Sequence, residues 1–439
     1  MTDHITDKTF NVSFCTLGCA KNEVDSKKMA DRLSKCGYNI VDDYESADAI
    51  IVNTCSFIKS ATDESIEAIL DIAGLIEDKG VSAKIIVTGC MPSRYGGELE
   101  GELPEVERFV KCDEEQDIIN VVSELIGMPE KQTSACDIDT PSKFKTYAYV
   151  KISEGCNRNC SFCTIPIIRG KYRSFPYADI KQDVEIAISE GAIEIDLIAQ
   201  DTGHWGKDFE DKKSLAWLLD SLANDFPNTF FRVLYIQPDE IDEELLCVIN
   251  KYPNIISYLD IPLQHTSRRI LNDMNRSGSY DVFKEKIALI KRLIPDVTLR
   301  TTLITGFPGE TDEEFDELID FVNSSMFDYI GVFPYSDEDL APSYNLPNKI
   351  PEIEINSRYS EIFEMSESVA TAKFAKYIGQ VIPVLIEGVE EDGQIFGRAK
   401  FQAPEVDGVV FVNRGEVGEI RHVKINDSYM YYLEGEVVD

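Results

Sequence analysis

Residues 154–170 read EGCNRNCSFCTIPIIRG, directly after YAYVKIS at 147–153, an apolar run of strand length. Five further runs of the same kind follow: IEIDLIAQD (193–201), FRVLYIQP (231–238), ISYLDIPLQ (256–264), TLRTTLITG (298–306) and YIGVFPY (329–335). Helical patterns lie between them, as at 178–190 and 311–323. Six alternating strand–helix units in one domain predict a partial or complete parallel barrel. The cysteine loop then falls at the carboxyl-terminal mouth, just after the first strand, where barrel enzymes do their chemistry.

The loop spaces Cys156, Cys160 and Cys163 as C-x-x-x-C-x-x-C. A 4Fe–4S cluster ordinarily takes four thiolates. With three, one iron stays open and can chelate a small molecule, so the missing cysteine marks a substrate site. Zinc is the competing metal. Catalytic zinc also keeps an open position, but it favours sets that contain histidine, and none of the four histidines lies in this motif. A cluster that only transfers electrons would use a fourth cysteine.

A second alternating region precedes the barrel. The runs NVSFCTLGC (11–19), ADAIIVNTC (47–55) and AKIIVTGC (83–90) read as buried strands followed by helical patterns such as DESIEAILDIAGLIEDKG (63–80). This predicts an open parallel α/β sheet. Each strand ends in a cysteine, Cys19, Cys55 and Cys90, at intervals of 36 and 35 residues. Ligands of open α/β sheets sit beyond the carboxyl ends of the strands, so these three thiols can converge on one object. Cys15, Cys36, Cys112, Cys136 and Cys247 show no such regularity and read as ordinary cysteines.

Gly18 and Gly89, each just before a cysteine, suit a close backbone approach to a bound group, or an ordinary strand-to-helix turn. Asn22, three residues after Cys19, reads as a cap of the following helix, or else as a hydrogen-bonding residue near the bound group. The stretch RGKYRS (169–174) concentrates Arg169, Lys171 and Arg173 in an acidic chain, to offset thiolates, to meet an acidic substrate group, or as a solvated turn. His265 is either a pocket residue or a satisfied structural histidine.

Residues 126–141, IGMPEKQTSACDIDTP, have no periodicity and read as a linker. Residues 351–377 read as one long helix that closes the barrel domain, and five short strand patterns follow it, predicting a small all-β barrel. The expected architecture is thus α/β: an N-terminal open parallel sheet domain (10–125), a central partial (βα)6 barrel (142–372) and a C-terminal β barrel (373–439).

The bulk numbers are those of a globular chain of several domains: 439 residues, 43% hydrophobic and 10% aromatic. No apolar run reaches membrane-spanning length and the N-terminus carries no secretion pattern, so the expected location is the cytoplasm, with no membrane partner. Eleven cysteines in such a chain point to metal binding or catalysis rather than disulfides. With 79 acidic against 43 basic residues and a formal charge of −36, the chain is ill suited to grip nucleic-acid phosphates. Electrostatics favours a basic protein partner, unless the charge serves only solubility or reflects an acidic proteome.

C-x-x-x-C-x-x-C with Phe162 before its last cysteine resembles the radical S-adenosylmethionine signature. The resemblance extends to the methylthiotransferase family through TLGCAKNEVDS (16–26), NTCSFI (53–58), TGCMPSRY (88–95), GCNRNCSFCTIPIIRG (155–170), YLDIPLQHTS (258–267) and RTTLITGFPGET (300–311), with a terminal domain of the TRAM type. The family implies two 4Fe–4S clusters, one on Cys19, Cys55 and Cys90 that carries the sulfur or an exogenous methylated sulfur at its open iron, and one on Cys156, Cys160 and Cys163 that binds S-adenosylmethionine. It implies S-adenosylmethionine as both methyl donor and radical source, and an electron donor of flavodoxin or ferredoxin type. Phe162, Gln200, Arg300, Gly306 and Gly309 are the implied contacts to S-adenosylmethionine.

One branch of the family modifies an adenosine in tRNA. The other modifies the β-carbon of an aspartate in ribosomal protein S-twelve. Residues 373–439 hold seven Lys/Arg and twelve Asp/Glu, a net of −5, which suits docking of a basic protein rather than direct tRNA binding. APEVDGVVF (403–411) and the AQDT at 199–202 resemble the ribosomal-protein branch. A two-cluster electron carrier without substrate chemistry is the remaining alternative.

Overall fold

The computed structural model describes residues 9–129 and 145–439. Most of the expected linker, and Cys136 within it, lie outside the described residues. The chain divides into two compact units: Met1–Lys143 with Gly155–Arg158 and Cys163–Tyr172, and Phe144–Glu154 with Asn159–Phe162 and Arg173–Asp439.

In the first unit the strands are β1 (Asn11–Thr16), β2 (Asn39–Ile40), β3 (Ala49–Thr54), β4 (Lys84–Gly89) and β5 (Arg108–Lys111). They form one parallel sheet in the order β2-β1-β3-β4-β5. Successive residues of a strand face opposite sides, and the core divides accordingly. Val12, Ala49, Ile51 and Ile86 pack into one apolar cluster, Ile50, Val52, Ile85 and Val87 into another. Strands buried on both faces read as continuous apolar runs, which is why these were legible in the sequence. The order reverses between β1 and β3, and that switch point is where an open α/β sheet holds its ligand.

In the second unit β6 (Tyr147–Lys151) leads into a short antiparallel pair, β7 (Ser153–Glu154) and β8 (Arg173–Ser174). It is followed by β9 (Glu194–Ile198), β10 (Phe230–Val233), β11 (Ile255–Asp260), β12 (Thr298–Thr305) and β13 (Tyr329–Pro334). These make a six-stranded parallel sheet in the order β13-β12-β11-β10-β9-β6. The two end strands do not pair, so the barrel is partial rather than complete. The helix Glu352–Phe374 follows, with a 3-10 turn to Tyr377.

Strands β14 (Val381–Val389), β15 (Ile395–Arg398), β16 (Val410–Val412), β17 (Ile420–Tyr429) and β18 (Tyr432–Val437) close the small C-terminal barrel. Its 398–407 segment reaches the amino-terminal half of the large sheet. Glu405 accepts from the Tyr147 hydroxyl at 2.5 Å, and Asp407 from the Tyr258 hydroxyl at 2.8 Å. Arg232 donates to the carbonyls of Lys400 and Gln402, and Arg398 pairs with Glu194. The open barrel is thus stoppered at the end opposite its mouth.

Candidate functional site

Cys55 and Cys90 follow β3 and β4 immediately, and Cys19 stands three residues past β1 as the first residue before the helix Ala20–Lys35. Gly89 has φ +93°, and a Cβ there would lie 2.3 Å from Asn53 Oδ1 and 2.6 Å from the Thr54 carbonyl oxygen. A Cβ on Gly18 would lie 2.6 Å from Cys55 Cβ. Glycine is required at both positions so that the ends of β1 and β4 can close on the end of β3.

Asn22 does not cap the helix. Cys19 holds the N-cap position, and no side chain caps there. The buried Asn22 amide instead donates to the carbonyls of Leu17 (2.8 Å) and Thr54 (3.0 Å), tying together the loops that carry Cys19 and Cys55. Its Oδ1 accepts from Arg169 Nη2 at 2.6 Å. Arg169, buried to 2% side-chain exposure, also donates from Nη1 to Asp25 Oδ2 at 2.7 Å, and its Nη2 stands 3.5 Å from Cys90 Sγ.

Of the basic cluster read at 169–174, Arg169 is therefore not a solvated turn residue. It is a buried cation beside the N-terminal cysteines. The neighbouring Cys112 thiol and the Arg169 guanidinium lower the Cys90 thiol from its ordinary value, against the opposing effect of burial. Burial pushes Cys55 up to about 11.

The loop after β6 carries the other triplet. Gly155 has φ +74°, and a Cβ there would meet the Lys171 carbonyl oxygen at 2.3 Å. Cys156 is buried, donates its N–H to the Gly170 carbonyl at 3.2 Å, and accepts at Sγ from the Arg158 N–H at 3.4 Å. Arg276 Nη1 is 3.9 Å from Cys160 Sγ. Phe162 packs partly buried against the large apolar core.

Gln200, two residues past β9, donates from Nε2 to Glu154 Oε1 at 2.8 Å, and Glu154 also holds the Lys151 ammonium. At the carboxyl ends of the same sheet Ser153 Oγ, Gln200 Oε1, Gln237 Oε1 and Thr305 Oγ1 are buried with no hydrogen-bond partner among the described residues. Orphaned buried polar atoms are costly. Four at one end of one sheet are what a polar ligand would satisfy. Ser153, Gln237 and Thr305 escaped the sequence reading, because a lone serine, glutamine or threonine at a strand end carries no pattern.

The structure gives the remaining expected residues other neighbours. Arg300 Nε lies 3.8 Å from Asp407, within the stoppered end. The space a Cβ would take on Gly306 is filled by Ile355, 2.6 Å away, and the Gly309 carbonyl accepts from Arg269 at 2.6 Å. His265 is fully buried: its Nδ1 accepts from the Ser267 N–H at 3.0 Å and its Nε2 faces Glu310 at 3.2 Å, a structural histidine. His204 and His422 pair with Glu240 and Asp439. Among the described residues both cysteine triplets are free of histidine, the donor chemistry of iron–sulfur sites rather than of catalytic zinc.

Comparison with known proteins agrees with this layout. Residues 11–111 match the model of the uncharacterized protein family UPF0004, residues 150–322 that of the radical SAM superfamily, and residues 378–438 that of the TRAM domain. A radical S-adenosylmethionine methyltransferase, TsrM of Kitasatospora setae, shares the fold, with a TM-score of 0.57 at 13% identity over 82% of this chain and 89% of that one. The fold and site define a radical S-adenosylmethionine enzyme with a methylthiotransferase-type N-terminal domain and a TRAM barrel.

Ribosomal protein uS12 methylthiotransferase RimO of Clostridioides difficile is 42% identical over 435 residues, covering 96% of this chain and 98% of the relative. The RimO protein of Natranaerobius thermophilus is 40% identical over 440 residues, 98% and 99% of the two chains. The chain belongs to the RimO family of radical S-adenosylmethionine methylthiotransferases.

Proposed function

We propose that this protein methylthiolates the β-carbon of an aspartate in ribosomal protein uS12. The observation that carries the reading is identity of about 40% across 96–98% of the chain to proteins named for that activity. Both cysteine triplets stand at strand ends in the same chain.

Cys156, Cys160 and Cys163 would hold a 4Fe–4S cluster with one open iron, and Cys19, Cys55 and Cys90 a second. When bound, the first cluster and S-adenosylmethionine supply a carbon radical able to take hydrogen from unactivated carbon, which no side-chain acid or base can do. The chain's part is positioning. Gly155 lets the loop fold back so that Cys156 is held by the Gly170 carbonyl. Gln200 is oriented by Glu154, so its unpartnered Oε1 is fixed as an acceptor for an ammonium or hydroxyl of S-adenosylmethionine. Ser153, Gln237 and Thr305 extend that polar lining.

The N-terminal cluster would supply the sulfur when bound, and Arg169, 3.5 Å from Cys90 Sγ, would offset its negative charge. The electron comes from a flavodoxin or ferredoxin. On the terminal barrel Glu390, Glu391, Asp392, Glu416, Glu434 and Glu436 are exposed, an acidic surface suited to a basic ribosomal protein.

The test is one anaerobic assay on protein reconstituted with iron and sulfide, containing reductant, sulfide, S-adenosylmethionine, uS12 and unmodified tRNA together. Mass spectrometry locates the added methylthio group. Modification of an aspartate in uS12 is the expected outcome; modification of the tRNA alone overturns the substrate assignment, and absence of S-adenosylmethionine cleavage overturns the enzyme.

A further inference from the structure

The lumen of the open barrel is not sealed along β12 and β13. On β12, Leu299, Thr301 and Leu303 are buried, whereas Arg300 and Thr302 between them are partly exposed. On β13, Ile330 and Val332 are buried, whereas Gly331 is partly exposed and Phe333 is 51% exposed. Successive residues of a strand face opposite sides. Leu299, Leu303, Ile330 and Val332 belong to the large apolar core that includes the surrounding helices, so the alternate set faces the lumen.

Arg300 brings a cation to that face. Its side chain is 16% exposed, and among the described residues its guanidinium donates no hydrogen bond. Its ion pair with Asp407, Nε to Oδ1, is 3.8 Å long, beyond hydrogen-bond length. Asp407 is engaged at its other oxygen, which accepts from the Tyr258 hydroxyl and the Ala403 N–H, each at 2.8 Å. The next strand leaves room for the guanidinium: a Cβ on Gly331 would stand 3.4 Å from Nη1 and 3.5 Å from Nη2. Arg232 and Arg398 of the same domain differ, since both donate to Glu194 and to main-chain carbonyls.

A planar fork with its donors unspent is a receptor for a carboxylate. The polar atoms assigned to S-adenosylmethionine lie at the strand ends, Thr305 among them, and Arg300 stands about 16 Å further down the same strand. We propose that Arg300 binds the carboxylate of the substrate aspartate, an inference that rests on the function proposed above. The β-carbon that reacts is bonded directly to the carboxyl carbon, so a grip on both carboxylate oxygens fixes the carbon beside them. The same grip selects aspartate over asparagine, whose amide turns an NH2 donor toward the fork. S-adenosylmethionine, the contact implied by the family resemblance, carries a carboxylate too, and the test separates the two sources.

Wild type, Arg300→Gln and Arg300→Lys are reconstituted anaerobically as full-length chains. Each receives reductant, sulfide, S-adenosylmethionine and either uS12 or uS12 with asparagine in place of the modified aspartate. Mass spectrometry gives kcat/KM for methylthio transfer to each, and equilibrium dialysis gives the affinity for S-adenosylmethionine. Arg300→Gln should lower kcat/KM for uS12 about 100-fold, the worth of a charge-assisted pair, and lose the preference for aspartate over asparagine. Its affinity for S-adenosylmethionine should match that of wild type. Arg300→Lys, which keeps the charge without the fork, should fall between the two.

Should Arg300→Gln lose its far-UV circular dichroism signal or transfer to neither substrate, Arg300→Lys carries the same comparison. A variant that keeps the wild-type preference for aspartate overturns the inference. Loss of S-adenosylmethionine affinity also overturns it, and assigns Arg300 to the carboxylate of that molecule. A wild-type protein that cleaves S-adenosylmethionine and leaves uS12 unmodified overturns the proposed function, and the inference with it.

Discussion

Arg169→Ala is the perturbation with the clearest consequence. The guanidinium makes charge-assisted bonds to Asp25 (2.7 Å) and Asn22 (2.6 Å), with both ends of the ion pair buried at 2% and 7% side-chain exposure. Removing one partner of a buried pair strands the other charge away from water, at about 3–5 kcal/mol. At 1.36 kcal/mol per decade this is roughly a 10²·²- to 10³·⁷-fold rise in local opening.

Both tryptophans, Trp205 and Trp217, lie in the other unit, so fluorescence would not report the loss. Amide hydrogen exchange of the helix Ala20–Lys35, which carries Asn22 and Asp25, would. Arg169→Lys keeps the charge but cannot reproduce the planar fork, and should cost an intermediate amount, about 1–3 kcal/mol. Replacing the pair together, Arg169→Met with Asp25→Leu, should cost less than Arg169→Ala alone, because no buried charge is left over. Unchanged exchange in Arg169→Ala, or a double variant that costs the sum of its singles, would refute the assignment of Arg169 as the cation that holds this site together.

Gly155→Ala should displace Cys156, because the new Cβ would lie 2.3 Å from the Lys171 carbonyl oxygen in a left-handed backbone; iron per chain after reconstitution should fall by about four, the content of one cluster. Gln200→Ala should weaken S-adenosylmethionine binding about tenfold, the worth of one buried hydrogen bond, with iron content unchanged; equilibrium dialysis reads the first and iron analysis the second. Asp407→Asn probes the stopper of the barrel. Burial lifts the Asp407 carboxyl above its ordinary value of 3.8, so the folded chain keeps a proton there that the unfolded chain has released. Wild-type stability relative to Asp407→Asn should therefore fall as pH rises from about 4 through the lifted value, and parallel melting curves at all pH values would contradict this.

Most of the fold and both cysteine triplets were legible in the chain itself. A strand buried on both faces must be apolar over consecutive residues, and a helix between strands must be amphipathic with its own period. Both signals lie within ten or twenty neighbouring residues, so β1, β3, β4 and the six barrel strands could be read without coordinates. C-x-x-x-C-x-x-C is local for the same reason: one short loop presents all its thiols. Strands β2 and β5 were missed because two to four residues, NI and RFVK, are too few to show a period.

What the chain could not reveal is every pairing between residues far apart along it. Arg169 lies 144 residues from Asp25 and 147 from Asn22. Asp407 and Glu405 lie 149 and 258 residues from Tyr258 and Tyr147, yet they meet the hydroxyls of those residues at the amino-terminal half of the large sheet. Such contacts are chosen by register and by which strand ends adjoin, and these are set by the packing of whole elements. Composition and periodicity name the parts and supply the thiols. The sheet order decides which cation and amide stand beside them.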